Sequence, residues 1–309
     1  MNTKEKVFQV LFNEKNYISG DDLAERLDLS RTSIWKAVKS LEKDGLLIDS
    51  IKGRGYKLIA GDLLSAQQIL SSCPKLSQVK IIEESSSTQV DAKNDLSKNC
   101  LYLANFQGDA RGRFSRHFYT ERGRGIYMSL VLKPQVKFAD MPQYTILTAA
   151  AVVTAIKKLT GIDVEIKWVN DIYLNNEKLA GIITEAQTDI ETGIVTDIII
   201  GIGLNFAIQD FPQDLNKPTT SLFKKDAPIS RNDLISEIWN QFFDLMNKDY
   251  LKIYKEHSLV LGHQVEFKQN NINYTGLARD LTDTGELIVD TDQEGEKIIS
   301  SGEISLSKW

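Results

Sequence analysis

Residues 167–181 read KWVNDIYLNNEKLAG. Two lysines, Lys167 and Lys178, bracket an Asn170-Asp171 pair inside an otherwise apolar stretch. The pattern predicts strand, turn, strand, with the turn at Asn175-Asn176, because asparagine tolerates the left-handed backbone of a tight hairpin. Solvated turn residues explain Asn175 and Asn176, but leave Lys167, Asn170 and Asp171 without a structural reason. A hairpin here argues for an α+β sheet and against a Rossmann alternation.

The neighbouring segments carry the same pattern outward. QVKIIEE (78–84), CLYLANFQ (100–107), GIYMSLVLKP (125–134), VEIKWVNDIYL (164–174) and EKLAGIITEAQ (177–187) read as strands. TDIIIGIGLNF (196–206) reads as a strand ending in a Gly-x-Gly-x-Asn turn. AQQIL (66–70), the apolar stretch 141–161 and the stretch 231–257 read as helices, each as one piece. Residues 262–306 differ, with short alternating runs broken by Gly, Asn and Asp, which fits an SH3-like β-barrel.

Residues 1–60 carry a different signature. Ser19 is placed to cap GDDLAERL and Ser30 to cap RTSIWKAVKSLEKDG, in which Ile34, Val38 and Leu41 form the inward stripe and Gly45 ends the helix. LLIDSIKGRGYKLI follows as a hairpin about Lys52-Gly53-Arg54-Gly55. Helices joined by a tight turn and followed by a hairpin describe a winged helix-turn-helix. Arg31, Thr32, Ser33 and Lys36 would face outward on its recognition helix, with Arg54 at the wing tip, all types that contact phosphates and base edges. The same fold also serves as a protein-docking module. The expected division is a head at 1–60, a central domain at 65–258 and a tail at 260–309, with Gly61-Asp62 as a short linker.

The 309 residues allow two or three domains, and 42% hydrophobic content suffices for real cores. The chain carries a net charge of -5, yet residues 1–60 hold 11 Lys and Arg against 9 Asp and Glu. A mildly basic head on an acidic body points to a separate partner for the head. No apolar run reaches a membrane span, and the start MNTKEKVFQVLFNEK lacks a signal core. Cys73 and Cys100 form no paired motif, so reduced thiols, a cytoplasmic location, no membrane partner and no protein metal site are expected.

Five of the ten arginines fall in GDARGRFSRHFYTERGRG, residues 108–125. Two readings fit: a solvated basic loop, or a loop that closes over an anion. SSSTQ, residues 85–89, likewise fits either a helix cap or a polar ligand contact. No GxxxxGK[ST] is present, Gly201-Ile202-Gly203 lacks the third glycine of a dinucleotide loop, and the three histidines are scattered.

Ala110-Arg111-Gly112-Arg113, Lys167-Trp168-Val169-Asn170-Asp171, Lys178-Leu179-Ala180-Gly181 and GIGLNF, set between a winged head and a barrel tail, together resemble the bifunctional biotin–protein ligases that also repress biotin genes. The resemblance spans essentially the whole chain. It implies activation of biotin by ATP to biotinyl-5'-AMP, with Mg2+ accompanying the pyrophosphate, and transfer to a lysine of a carboxylase's biotin carrier domain. It also implies operator DNA as a partner and a ligand-promoted homodimer. Carried over by position, Lys178, Arg111 and Arg113 are catalytic. Ser87, Thr88, Gln89, Gln107 and Gly112 join them around biotin, and Arg113, Arg116, Phe118, Lys167, Asn170, Asp171 and Asn205 lie around the adenylate. Two positions depart from the family pattern. Ala110 replaces a loop glycine, which would be strained if its φ were positive, and Val169 replaces a proline. A lipoate-type acyl ligase and a biotin sensor without catalysis remain the alternatives.

Overall fold

The computed structural model describes residues 2–215, 217–224, 227–269 and 272–300, together with the backbone of 304–306. The head folds as α1 (Thr3–Asn13), α2 (Gly20–Leu27) and α3 (Arg31–Lys43), followed by the hairpin β1 (Leu47–Ile51) and β2 (Gly55–Ala60). Ser19 Oγ accepts from Asp22 N at 3.0 Å and Ser30 Oγ from Ser33 N at 3.1 Å, so both caps form as the sequence predicts. Val7, Leu11, Leu23, Ile34, Val38 and Leu41 close a small core of their own.

The central domain is built on one sheet. Its helices α4 (Ala66–Ser72), α5 (Thr88–Asn94), α6 (Tyr144–Thr160), α7 (Arg231–Leu245) and α8 (Tyr250–Glu256) surround strands β3 (Gln78–Ile82), β4 (Cys100–Ala104), β5 (Gly125–Leu132), β6 (Val136–Lys137), β7 (Glu165–Lys167), β8 (Asp171–Leu174), β9 (Glu177–Thr188) and β10 (Ile194–Asn205). The order is β3-β4-β5-β10-β9-β8-β7, with β6 also on β10. Only β3 and β4 pair in parallel; the other pairings are antiparallel. The tail forms a five-stranded sheet from β11 (Gln264–Gln269), β12 (Ile272–Leu281), β13 (Leu287–Thr291), β14 (Gly295–Ile299) and β15 (Ile304–Leu306). No helix among the described residues is long and apolar enough to cross a membrane.

Side chains alternate across a strand, so each central strand sends residues to two environments. Met128, Leu130, Ile198, Ile200, Ile202, Ile182 and Ala180 meet α6 and α7 in the main core. The intervening positions, Ser129, Gly201, Gly203, Asn205, Gly181 and Ile183, line the opposite, open face. Helix α6 is buried nearly all round, as its unbroken apolar sequence implies.

Four local readings need correction. Residues 164–174 are two strands, joined by a turn at Trp168–Asn170 whose Trp168–Val169 peptide is cis. Their continuous apolar run concealed that turn. Residues 231–257 are two helices, because Asp249 accepts from Lys252 N at 3.0 Å and starts a new one. Gly201 and Gly203 sit inside β10, not in a turn: a β-carbon on Gly201 would lie 2.6 Å from Gln89 Oε1, and one on Gly203 2.9 Å from Phe118. These glycines leave room for side chains arriving over the sheet. Asp62, read as linker, is buried against Arg231, whose Nε donates to Asp62 Oδ1 at 2.5 Å.

Candidate active site

The open face of the sheet forms a cavity of about 830 Å³. Every ligand-site residue expected from the sequence lines it: Ser87, Thr88, Gln89, Gln107, Arg111, Gly112, Arg113, Arg116, Phe118, Lys167, Asn170, Asp171, Lys178 and Asn205. Segments distant in sequence are brought together because β5, β9 and β10 are neighbours, while the loops after β4 and β7 carry Gln107, Arg113, Trp168 and Asn170 to the cavity.

One end of the cavity is a hydroxyl and amide network. Ser87 occupies the cap position of α5 but makes no capping bond, which leaves its hydroxyl available. Gln107 Oε1 instead accepts from Thr88 N at 2.6 Å. Thr88 Oγ1 lies 2.9 Å from Ser129 Oγ, and Ser129 donates to Gln89 Oε1 at 2.9 Å. The Gln89 amide nitrogen donates to Glu185 Oε2 at 2.7 Å and Ile199 O at 3.2 Å. Gln89 is therefore committed to holding the wall. Ser129 was not singled out in the sequence, since nothing local distinguishes one serine inside an apolar strand.

The other end gathers cations. Lys178 Nζ donates to Asp171 Oδ1 at 2.7 Å. Lys167 is only 8% exposed and lies over the Tyr173 ring, 5.4 Å from its centroid. Burial pushes its ammonium below the ordinary lysine value, and the charge of Lys217 adds to this while Asp171 opposes it. Lys217, a second residue missed by sequence reading, is lowered for the same first reason, with Asp171 opposing and Lys178 and Arg116 adding to the fall. Cations crowded enough to depress one another describe a site prepared for a polyanion.

Residues 110–118 fold as a tight hairpin over the cavity. Gly112 N donates to Arg116 O at 2.8 Å and Phe118 N to Ala110 O at 2.9 Å. The left-handed positions are Phe114 (φ 58°) and Ser115 (φ 56°), whereas Ala110 does not adopt positive φ, so the strain anticipated for it is absent. Arg113 Nη1 donates to Asn170 Oδ1 at 3.2 Å, and Asn170 Nδ2 to Ile182 O at 2.8 Å. Asn170 thus pins the loop to β9. Burial lowers the Arg113 pKa, with Asp171 opposing. Arg111 pairs with Asp109 at 2.9 Å and remains half exposed. Phe118 stands over Gly203, and Asn205 Nδ2 donates to Thr220 O at 3.0 Å while its Oδ1 is buried without a hydrogen-bond partner.

The arginine–glycine segment therefore divides. Arg111, Arg113 and Arg116 line the cavity, but Arg122 and Arg124 do not. Arg122 stacks over Phe106, 5.3 Å from its centroid, and pairs with Glu84. Among the described residues no cluster of three or more metal-ligating side chains forms. Asp171 and Asp214 bring carboxylates to the cavity. That donor set fits a magnesium ion carried mainly by substrate phosphates, with Asp171 as the residue to hold it.

On the head, Arg31, Thr32 and Lys36 are exposed on α3. Arg31 Nε pairs with Asp21 at 3.1 Å. Ser33 turns back to its cap, its hydroxyl 2.9 Å from Ser30 Oγ. Arg54, on the wing, stacks over Tyr17 at 5.1 Å.

Residues 3–57 match an HTH domain, 78–205 the Biotin/lipoate A/B protein ligase family and 260–307 the Biotin protein ligase C terminal domain. The fold is similar to that of the biotin protein ligase from Aquifex aeolicus in complex with biotin and ATP, with a TM-score of 0.63 and 26% identity over 75% of this chain and 99% of that one. The Escherichia coli bifunctional ligase/repressor BirA is 26% identical, over 97% of this chain and 96% of its own. The bifunctional ligase/repressor BirA of Bacillus spizizenii is 34% identical, over 94% of each chain. With that relative matched along nearly its full length, the chain belongs to the bifunctional biotin ligase/repressor family.

Proposed function

We propose that this chain condenses biotin with ATP to biotinyl-5'-AMP and pyrophosphate, and then passes the biotinyl group to a lysine of a carboxylase's carrier domain. In the first step a biotin carboxylate oxygen bonds to the α-phosphorus, and the bond from that phosphorus to pyrophosphate breaks. In the second the carrier lysine nitrogen bonds to the acyl carbon, AMP leaves and the nitrogen loses a proton. The observation that carries this reading is one cavity with a hydroxyl–amide end at Ser87, Thr88, Gln107 and Ser129 and a cationic end at Lys167, Lys178, Arg113 and Arg116.

Two anions must meet before the first bond forms, and preorganised cations offset their repulsion and the charge growing on phosphorus. Lys178 is the group for the reacting oxygens, with Arg111 and Arg113 reaching from the hairpin. Lys167 and Lys217 suit the departing pyrophosphate. Magnesium, brought by the phosphates and held by Asp171, adds charge neutralisation there when bound. Ser87, Thr88 and Gln107 suit the ureido group, with Gly112 giving close backbone approach and Gln89 bracing the wall. The unpartnered Asn205 Oδ1 suits an adenine amino group, and Phe118 the face of the ring. Asn170 acts through Arg113, which it orients.

The head, with Arg31, Thr32, Lys36 and Arg54 outward, binds operator DNA in this reading, and adenylate promotes the homodimer that does so; Ser33 helps cap the recognition helix. The expected division at 1–60, 65–258 and 260–309 gives these tasks to separate units in the cytoplasm. The test is incubation of the full chain with biotin, magnesium, ATP and a carrier domain, followed by intact mass. Gain of one biotinyl group is expected. No transfer while biotin still binds would establish the sensor alternative, and transfer of lipoate but not biotin in a parallel incubation with lipoate the acyl-ligase alternative.

A further inference from the structure

Trp35 stands on the outward face of α3, 52% exposed. The head's core does not use it, since Ile34, Ala37, Val38 and Leu41 fill the inward side of the same helix. Its place is one turn beyond Arg31, on the wall of a groove between α3 and the β1–β2 hairpin. Arg31 and Thr32 share that wall, and Ile51, Lys52 and Gly53 form the other. Arg31 and Lys52 put a cation on each wall, Asp21 also lines the groove and pairs with Arg31 at 3.1 Å, and Lys36 is exposed next to Trp35 on α3. An exposed indole beside a cation on each wall suits a ligand that is anionic along its length yet apolar at one point.

One strand of a duplex meets that description. Its phosphates suit the cations, and the apolar group it displays in the major groove is the C5-methyl of thymine. We propose that Trp35 is a base-reading residue, packing its indole on the methyl group of one thymine in the bound site while Arg31 and Lys52 hold flanking phosphates. This rests on the DNA-binding reading of the head and extends it from affinity to base identity. The polar side chains of α3 supply hydrogen bonds and charge; Trp35 supplies a contact that distinguishes thymine from the other three bases.

The test selects duplexes from a random-sequence pool with the full-length protein, biotin, ATP and magnesium, using wild type and Trp35→Ala. The wild-type pool is expected to hold a thymine at one position that the variant pool leaves open, with the other positions alike. Replacing that thymine by uracil, which lacks only the methyl, should weaken wild-type binding ~4-fold, the worth of one buried methyl group, and leave Trp35→Ala unaffected. Trp35→Phe should regain much of the uracil sensitivity, and normal biotin transfer by each variant shows that it is folded. Identical pools, or an equal uracil penalty in wild type and Trp35→Ala, overturn the assignment. A wild-type pool with no enriched sequence overturns it together with the DNA reading itself.

Discussion

Gly45 of the head and Gly123 of the ligase domain face each other so closely that a β-carbon on either would lie 3.1 Å from the other's Cα. Each such carbon would also strike backbone, the Arg122 carbonyl from Gly45 and the Asp44 carbonyl from Gly123. Around this contact Asn105 Nδ2 donates to Asp44 O at 3.2 Å, and the Arg231 guanidinium joins Asn105, Gly125 and Asp62. The later half of the arginine–glycine segment is thus an interdomain joint. Both glycines have positive φ, 94° and 69°, so alanine costs about 1–2 kcal/mol in backbone strain alone. Gly123→Ala should loosen the head, exposing residues 60–65 to protease, while biotin transfer stays within a few-fold of wild type. Unchanged cleavage would mean that the joint tolerates a side chain.

Lys178 holds Asp171 at 2.7 Å and faces the cavity. Lys178→Ala should lower adenylate formation by at least ~10²-fold, the scale of losing one preorganised donor to a transition state, with circular dichroism unchanged. Pyrophosphate release measures it. A wild-type rate would remove Lys178 from the chemistry.

The pKa values of Lys167 and Lys217 both fall below the ordinary lysine value of ~10.4. Between the folded and unfolded values the unfolded chain binds more protons, so stability rises with pH across that window. Below it both states are charged and the full cost of burying the cations remains. A polyphosphate favours the charged lysines, so ATP binding should take up protons in the same window and weaken as pH rises through it. Calorimetric titrations in buffers of different ionisation heat measure the uptake, which Lys167→Gln should reduce. Absence of proton uptake in the wild type would separate these lysines from the phosphates.

Trp168 Nε1 donates to Gly285 O at 3.0 Å, so the tail domain grips the turn between β7 and β8. Tyr254 OH donates to Val169 O at 3.1 Å from the other side. Trp168→Phe removes the first bond and leaves a buried carbonyl unsatisfied, at a cost of about 1–3 kcal/mol. Denaturant melting should show that loss, with a raised KM for ATP because Lys167 and Asp171 flank the turn and Asn170 lies in it. Equal stability would show that water replaces the indole at Gly285.

If adenylate promotes dimerisation and the dimer binds operator, linkage requires operator DNA to tighten adenylate binding by the same factor. Sedimentation and DNA-binding measurements with and without biotinyl-AMP test this. Equal operator affinity in both conditions would exclude a biotin-responsive switch. Arg31→Ala and Lys36→Ala should weaken DNA binding while leaving biotin transfer intact.

Local chemistry made much of this protein legible from its sequence. Serine caps, a hairpin at Asn175-Asn176 and period-two strands act over a few residues, and Lys167, Asn170, Asp171 and Lys178 stood out as charge and amide inside apolar strands. Ser129, Lys217 and Trp35 did not stand out, since their significance depends on partners from distant segments. The arginine–glycine segment is the sharpest case. Its sequence offers five equivalent arginines, yet three line the ligand cavity and two lie outside it, where Arg122 stacks on Phe106 and Gly123 meets Gly45. Composition and spacing left that loop two readings, a solvated basic loop or one that closes over an anion. Which of its arginines line the cavity was decided by tertiary structure, because β5, β10 and β9 lie side by side and carry their alternate residues to the one face that the loop covers, a pairing of distant segments that no local pattern encodes.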